Sequence, residues 1–229
     1  ELHRLHPKLN DEFEHYEERL TTIANSLKKS GEFQYIDWKI GDRKTGGDPD
    51  LFKFFLERAH QISKEAGLIA YVLPGALYNN EGCTGIRNLL FYKTKISCFF
   101  GFENKLRLFP IHSQYRLVCL VADKDEMRRN SNFTATFMRS EVSELSTGAP
   151  EESKITLNLS TIERLSPGTL ALLEYRDTAE QAIVERMYGL GQKESPYPTL
   201  GDTSSESFGC RYSSEFHLTN DKGLWTKPN

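Results

Sequence analysis

Phe102–Val121 reads FENKLRLFPIHSQYRLVCLV, and this stretch decides the fold. An apolar segment, KISCFFGFE, runs into it, and an alternating one, YRLVCLVAD, leads out. Both read as strands, and such a pair can lie antiparallel. The turn-like basic NKLR and the bare LFP fall in their connection, where a large aromatic has no core to count on. Either the loop folds back on itself, or the Phe109 ring is kept available for something flat.

Upstream, Asp50 is placed to cap the helix LFKFFLERAHQISKEAG, whose Leu51, Phe54, Phe55, Ala59 and Ile62 recur at helical spacing. LIAYVLP is an uninterrupted apolar run that suits a central strand covered on both faces. CTGIRNLLFYK reads as a short helix, giving the order helix, strand, helix, strand, loop, strand. Leu68–Leu73, Ile96–Phe102 and Tyr115–Ala122 are therefore expected as neighbours in one sheet. The last should run antiparallel to the first two, or at least to Ile96–Phe102. Before this block, PKLNDEFEHYEERLTTIANSLKKSG reads as a polar surface helix with Asn10 or Asp11 as cap, and KIGDRKTGGDPD as a loop. After it, NFTATFMRS is a strand candidate, SELSTGAPEES a loop, and KITLNLSTIERLSPGTLALLEY a strand with helical turns. DTAEQAIVERMYGLG is a helix capped by Asp177 or Thr178, and the Ser/Pro/Gly-rich tail is weakly patterned. The expected divisions are 1–47, a helical surface segment and loop; 48–124, the α/β block; and 125–229, a linker leading into a smaller α+β segment.

A chain of 229 residues with 38% hydrophobic content can bury a sizeable core. Its net charge of −3 announces no nucleic-acid tail, though a balanced total can hide a local patch. Cys83, Cys98, Cys119 and Cys210 lie far apart without metal-ligand spacing, and read as reduced thiols of a cytoplasmic protein. No apolar run approaches the ~20 residues that span a bilayer. The opening ELHRLHPKLN has neither Met nor signal sequence, and a piece of a longer protein is expected.

These residues do not make a complete active site. YGLG and GFE are isolated glycine fragments outside any strand-to-helix phosphate turn, and SPY at Ser195–Tyr197 has one proline where a catalytic tetrapeptide needs two. His3, His6 and His15 sit together on the N-terminal segment without forming a metal constellation, and no metal is expected. Glu57 and Glu65 read as a solvated helix face. VLPGAL offers no nucleophile for a hydrolase, the weakest of the rival readings.

The ordered set from GDPDLFKFFLER through GLIAYVLP and GIRNLLF to FENKLRLFPIH and the final strand resembles the second half of the catalytic domain of N6-adenine DNA methyltransferases. The likeness is to the large methylases of restriction–modification and phage-defence systems, and covers 48–124 well. LSPGTLALLEYRDTAEQAIVERMY is similar to the segment leading into target recognition in the same proteins.

The resemblance implies part of a Rossmann-like S-adenosylmethionine-dependent methyltransferase sheet, ending in an antiparallel strand pair. It implies double-stranded DNA as partner, S-adenosylmethionine as cofactor of the parent enzyme, and in some parents an attached restriction endonuclease. Such an enzyme takes its target base out of the stack. The resemblance puts Phe109 against the extruded adenine with Pro110 stiffening the loop, has Lys105, Arg107 and His112 meet phosphates, and sets Phe55 near the cofactor adenine. The family's glycine-rich cofactor motif and its NPP(Y/F/W) tetrapeptide do not occur here. No catalytic residue is therefore expected in this fragment, nor tight cofactor binding, and the parent's N-terminal half becomes an expected partner. The alternative is a non-catalytic nucleic-acid-binding or interaction module.

Overall fold

The computed structural model describes residues 7–45, 50–125 and 131–188. The chain divides into units 1–181 and 182–229. Of the second, only 182–188 is described, so Cys210, the SPY triplet and the tail fall outside. A polar helix α1 (Pro7–Lys29) comes first, starting on its proline rather than at Asn10 or Asp11. A proline costs nothing at the first helical position, since its missing N–H would have had no partner there.

The expected loop at 39–44 is a small hairpin, β1 (Lys39–Ile40) against β2 (Arg43–Lys44). Gly41, at φ +58°, supplies the left-handed turn residue that joins them. Helix α2 (Leu51–Ile62) buries Lys53, Phe54, Leu56, Glu57 and His60. Asp50 precedes it but makes no side-chain cap; its carboxylate sits 3.4 Å from the buried Lys53 ammonium instead. A charge that must be buried outcompetes a backbone N–H for the nearest anion.

Glu57 departs from the expected solvated face. It is 2% exposed, and its two carboxylate oxygens accept the backbone N–H of Gln34 at 2.6 Å and of Tyr35 at 3.1 Å. Burial pushes this carboxyl above its usual range, and the two N–H groups pull it back only in part. Helical periodicity shows which face a residue occupies, but not that a distant loop will cover it. Glu57→Ala is expected to cost about 1–3 kcal/mol for each amide left without an acceptor. Urea unfolding of the variant checks this; a loss below 0.5 kcal/mol (about the size of an ordinary surface change) would mean that the 33–38 segment finds other partners.

The main sheet has five strands in the order β3-β5-β4-β6-β7: β3 (Leu68–Pro74), β4 (Thr94–Glu103), β5 (Arg116–Lys124), β6 (Asn132–Arg139) and β7 (Ile155–Asn158). β5 is antiparallel to both β3 and β4, as expected, so β3 and β4 point the same way and both end at one edge of the sheet. The sheet does not stop at Lys124. β6 joins parallel to β4, and β7 closes it antiparallel to β6. The result is a mixed α/β fold.

The turn helix α3 (Ala76–Asn79) and helix α4 (Thr84–Lys93) connect β3 to β4. The sheet face carrying Ile69, Leu73, Ile96, Phe99, Val118, Leu120 and Ala122 is buried. An aromatic cluster continues it across β6: Phe99 lies 5.9 Å from Tyr78 and Phe133, and 5.8 Å from Phe137. α4 is pressed so tightly on the 33–38 segment that a Cβ on Gly85 would lie 2.0 Å from the Tyr35 carbonyl oxygen.

The opposite face is unevenly covered. Phe100, Phe102 and Leu117 are buried there with Ala149 packed on them. Leu68, however, is 69% and Val72 51% exposed. β3, expected in the centre of a sheet, is an edge strand among the described residues, and its outward-facing side chains meet solvent.

Beyond β6, the expected loop holds a one-turn helix α5 (Glu144–Thr147) and a 3-10 turn, Glu151–Ser153. Arg139 reaches back to α5, with both Glu144 oxygens at 2.6 Å. α6 (Leu159–Leu165) follows β7, and α7 (Thr178–Met187) ends the described chain. Asp177 is its cap, accepting the Glu180 N–H at 2.8 Å while Glu180 accepts the Arg176 N–H at 2.7 Å.

Candidate nucleic-acid interface

β3 and β4 end at the same sheet edge where β5 begins, and open α/β sheets place their ligands outside the carboxyl ends of their strands. From this edge rises the loop 104–115. Its base is closed by the Glu103–Arg116 ladder pair and by the Asn104 N–H, which donates to the Tyr115 carbonyl at 2.9 Å. A 3-10 turn, Asn104–Leu106, opens it, and Arg107 then takes a left-handed conformation at φ +51°. The Ile111 N–H donates to the Phe109 carbonyl at 2.8 Å, a tight turn centred on Pro110. The fixed φ of proline suits that turn. The Tyr115 N–H reaches the His112 carbonyl at 3.0 Å, while His112 Nδ1 accepts the Gln114 N–H at 3.2 Å.

The loop turns its apolar side chains outward. Leu106, Leu108, Ile111 and Tyr115 are all more than 40% exposed, and Phe109 is 39% exposed. Phe109 is thus not a core plug between the strands. Lys105 pairs with Glu103, whereas Arg107 makes no ion pair among the described residues. Lys105, Arg107, Phe109, Pro110 and His112 are brought together on this one loop. Phe55 is not on it; that ring stands on the outer side of α2 and is 60% exposed.

The groups that hold this edge were not foreseen from the sequence. Asn104 is fully buried beneath the loop, and its side chain binds the backbone at Phe109 and Ile111. Arg116 lies 2.5 Å from Glu174 and 3.8 Å from Glu103. The Tyr78 hydroxyl donates to Glu174, and burial, with that carboxylate, pushes its pKa far up. Glu174 itself is carried by the segment 169–175, which Arg87 clamps. The guanidinium donates to the carbonyls of Thr169, Leu77 and Asn80 and to the Thr84 hydroxyl. An asparagine directly after a strand does carry a local signal for a turn. Glu174, 58 residues from Arg116, carries none.

At the opposite edge of the sheet lies a cleft of about 360 Å³ lined by Gln34, Tyr35, Glu57, His60, Lys93 and Lys124. Several of its polar groups serve the fold: Glu57 binds backbone amides, His60 Nε2 lies 3.3 Å from the Lys93 carbonyl, and Lys124 donates to Ser63. Among the described residues, no group of three or more His, Cys, Asp or Glu is arranged to hold a metal. Nor is any helix there long and apolar enough to cross a membrane.

Residues 22–109 match the sequence model of a family described as Eco57I restriction-modification methylase. The match begins inside α1 and ends on Phe109 itself, taking in β3, α4, β4 and the first half of the loop. No curated protein matches the chain. The matched segment is consistent with a fragment of a restriction–modification methylase, and such a family points to DNA methyl transfer.

Proposed function

We propose that this chain is the C-terminal half of the catalytic domain of a DNA adenine-N6 methyltransferase, joined to the start of its target-recognition region. The observation that carries this reading is a half-exposed Phe109 ring, held on a short backbone-pinned loop at the strand ends, inside the segment that matches a methylase family. Flipped bases are read by stacking and edge contacts in a pocket. In this reading Phe109 stacks on the extruded adenine, Pro110 fixes the turn, and Arg107, Lys105 and His112 meet phosphates of double-stranded DNA. The Glu103 partner of Lys105 makes Arg107 the stronger phosphate ligand of the two.

S-adenosylmethionine, when bound, supplies the methyl group. Of this chain's own residues, the exposed Phe55 ring fits the cofactor's adenine, and α2 sets it just upstream of β3. The glycine-rich turn and the NPP(Y/F/W) tetrapeptide belong to the missing N-terminal half. Its sheet completes the Rossmann-like arrangement by pairing with the edge of β3, which has no partner on that side among the described residues. A cytoplasmic location goes with the free thiols of Cys83, Cys98 and Cys119.

The test has two arms. The full-length protein, given double-stranded DNA and radiolabelled S-adenosylmethionine, should deposit label as N6-methyladenine. The 229-residue chain alone should give no micromolar binding heat with the cofactor by calorimetry. Absence of any methylated adenine with the full-length protein would favour the non-catalytic DNA-binding module, as would an upstream sequence without the NPP(Y/F/W) tetrapeptide. Micromolar binding by the chain alone would sink the division into halves.

A further inference from the structure

We infer that Asn104 is a positioning residue for the target base, acting through the backbone of Phe109; the inference rests on the methyltransferase reading above. Asn104 is 0% exposed, although every residue from 105 to 112 is exposed. Its Oδ1 accepts the Phe109 N–H at 3.0 Å, and its Nδ2 donates to the Phe109 carbonyl at 3.0 Å. One amide thus holds both backbone polar groups of the residue whose ring is on offer. The same Nδ2 donates to the Ile111 carbonyl at 3.1 Å, with the His112 carbonyl at 3.4 Å. Its own N–H and C=O bind Tyr115 and Arg107, so the loop is wound around a single buried side chain.

This arrangement has a reason. A loop that must turn five large apolar side chains toward solvent cannot be ordered by burying them. Order then has to come from its backbone, and a buried primary amide can satisfy an N–H and several carbonyls at once. Asparagine at the end of β4 supplies that amide without lengthening the loop. The ring of Phe109 is presented at a fixed height above the strand ends, with little loop entropy left to lose when a base arrives. Preorganisation of this kind lowers the cost of ordering on binding.

The role is tested in the full-length enzyme with Asn104→Ala, Phe109→Ala and the double variant. Methylation rate is read together with the fluorescence of 2-aminopurine placed at the target adenine. Asn104→Ala should lower kcat by about tenfold, within the range expected for a misplaced reacting group, and no more than Phe109→Ala does. The KM for DNA should change little, since the phosphate contacts remain. In the double variant the losses should not add: once the ring is gone, its positioning residue has nothing left to position. The 2-aminopurine signal of the flipped state should change in all three in the same sense. Where Asn104→Ala lowers the melting temperature too far to assay, Asn104→Ser keeps a polar atom in the same space and reports the same cycle.

Additive losses, or a wild-type rate in both Asn104 variants, would overturn the role of Asn104 while leaving the methyltransferase intact. A wild-type enzyme that methylates no adenine would overturn the underlying reading, and the proposal with it.

Discussion

Arg87→Met is expected to lower the melting temperature by roughly 6–12 °C. Arg87 is 1% exposed and makes five hydrogen bonds, four of them to main-chain carbonyls. Methionine fills much of the same volume and donates none of them. Leaving three carbonyl groups, one buried and two partly buried, short of a donor costs about 3 kcal/mol, at the low end of ~1 kcal/mol for each. For a chain of this size, each kcal/mol shifts the midpoint by ~2–4 °C. Arg87→Lys should recover only part of the loss, because one ammonium cannot face Thr169 on one side and Leu77 with Asn80 on the other. Differential scanning calorimetry of the three proteins decides the matter. A shift under 2 °C for Arg87→Met, about that of an ordinary surface change, would show that water takes over the carbonyls. The consequence also reaches the loop, since Arg87 fastens the segment that carries Glu174 to Arg116 and Tyr78.

Phe109→Ala in the full-length enzyme is expected to slow methyl transfer by roughly tenfold to a hundredfold, the equivalent of about 1–3 kcal/mol for one lost base stack. Its effect on the melting temperature should be small, because the ring is 39% exposed and its backbone is held by Asn104 rather than by the ring. Phe109→Trp should keep much of the activity, since any flat ring can stack. Unchanged methylation with a large fall in melting temperature would show that the ring supports the fold instead. A buried phenylalanine truncated to alanine costs ~3–5 kcal/mol, so the two outcomes are well separated.

The antiparallel pairing of β5 with β3 and β4 was legible because the three apolar runs 68–74, 94–103 and 116–124 are local signals, each bounded by its own turn residues. The addition of β6 and β7 to the same sheet was not. The loop was legible for the opposite reason: an LFP between two strands has no business in a core. The position of LIAYVLP at an edge was not legible, because burial on a second face depends on residues that need not be nearby in sequence. The same limit applies to Glu57. Its carboxylate serves two amides 22 and 23 residues away, and nothing in the helical pattern of LFKFFLERAHQI marks it. Hydrophobic periodicity reports which side of an element faces inward. It is silent on hydrogen bonds between distant segments, and Arg87 and Glu174 act through such bonds.

The edge of β3, unpaired among the described residues, also bears on how such a protein comes into being. Leu68–Pro74 offers a seven-residue template with exposed Leu68 and Val72, the kind of surface on which chains assemble into fibres or precipitate. If the complementary half lies N-terminal, it leaves the ribosome first. Its strand is then already folded and waiting when β3 emerges, and the adhesive edge is capped within seconds of being made. Split from that half, the same sequence meets only other copies of itself. Its solubility would then depend on how concentrated it is.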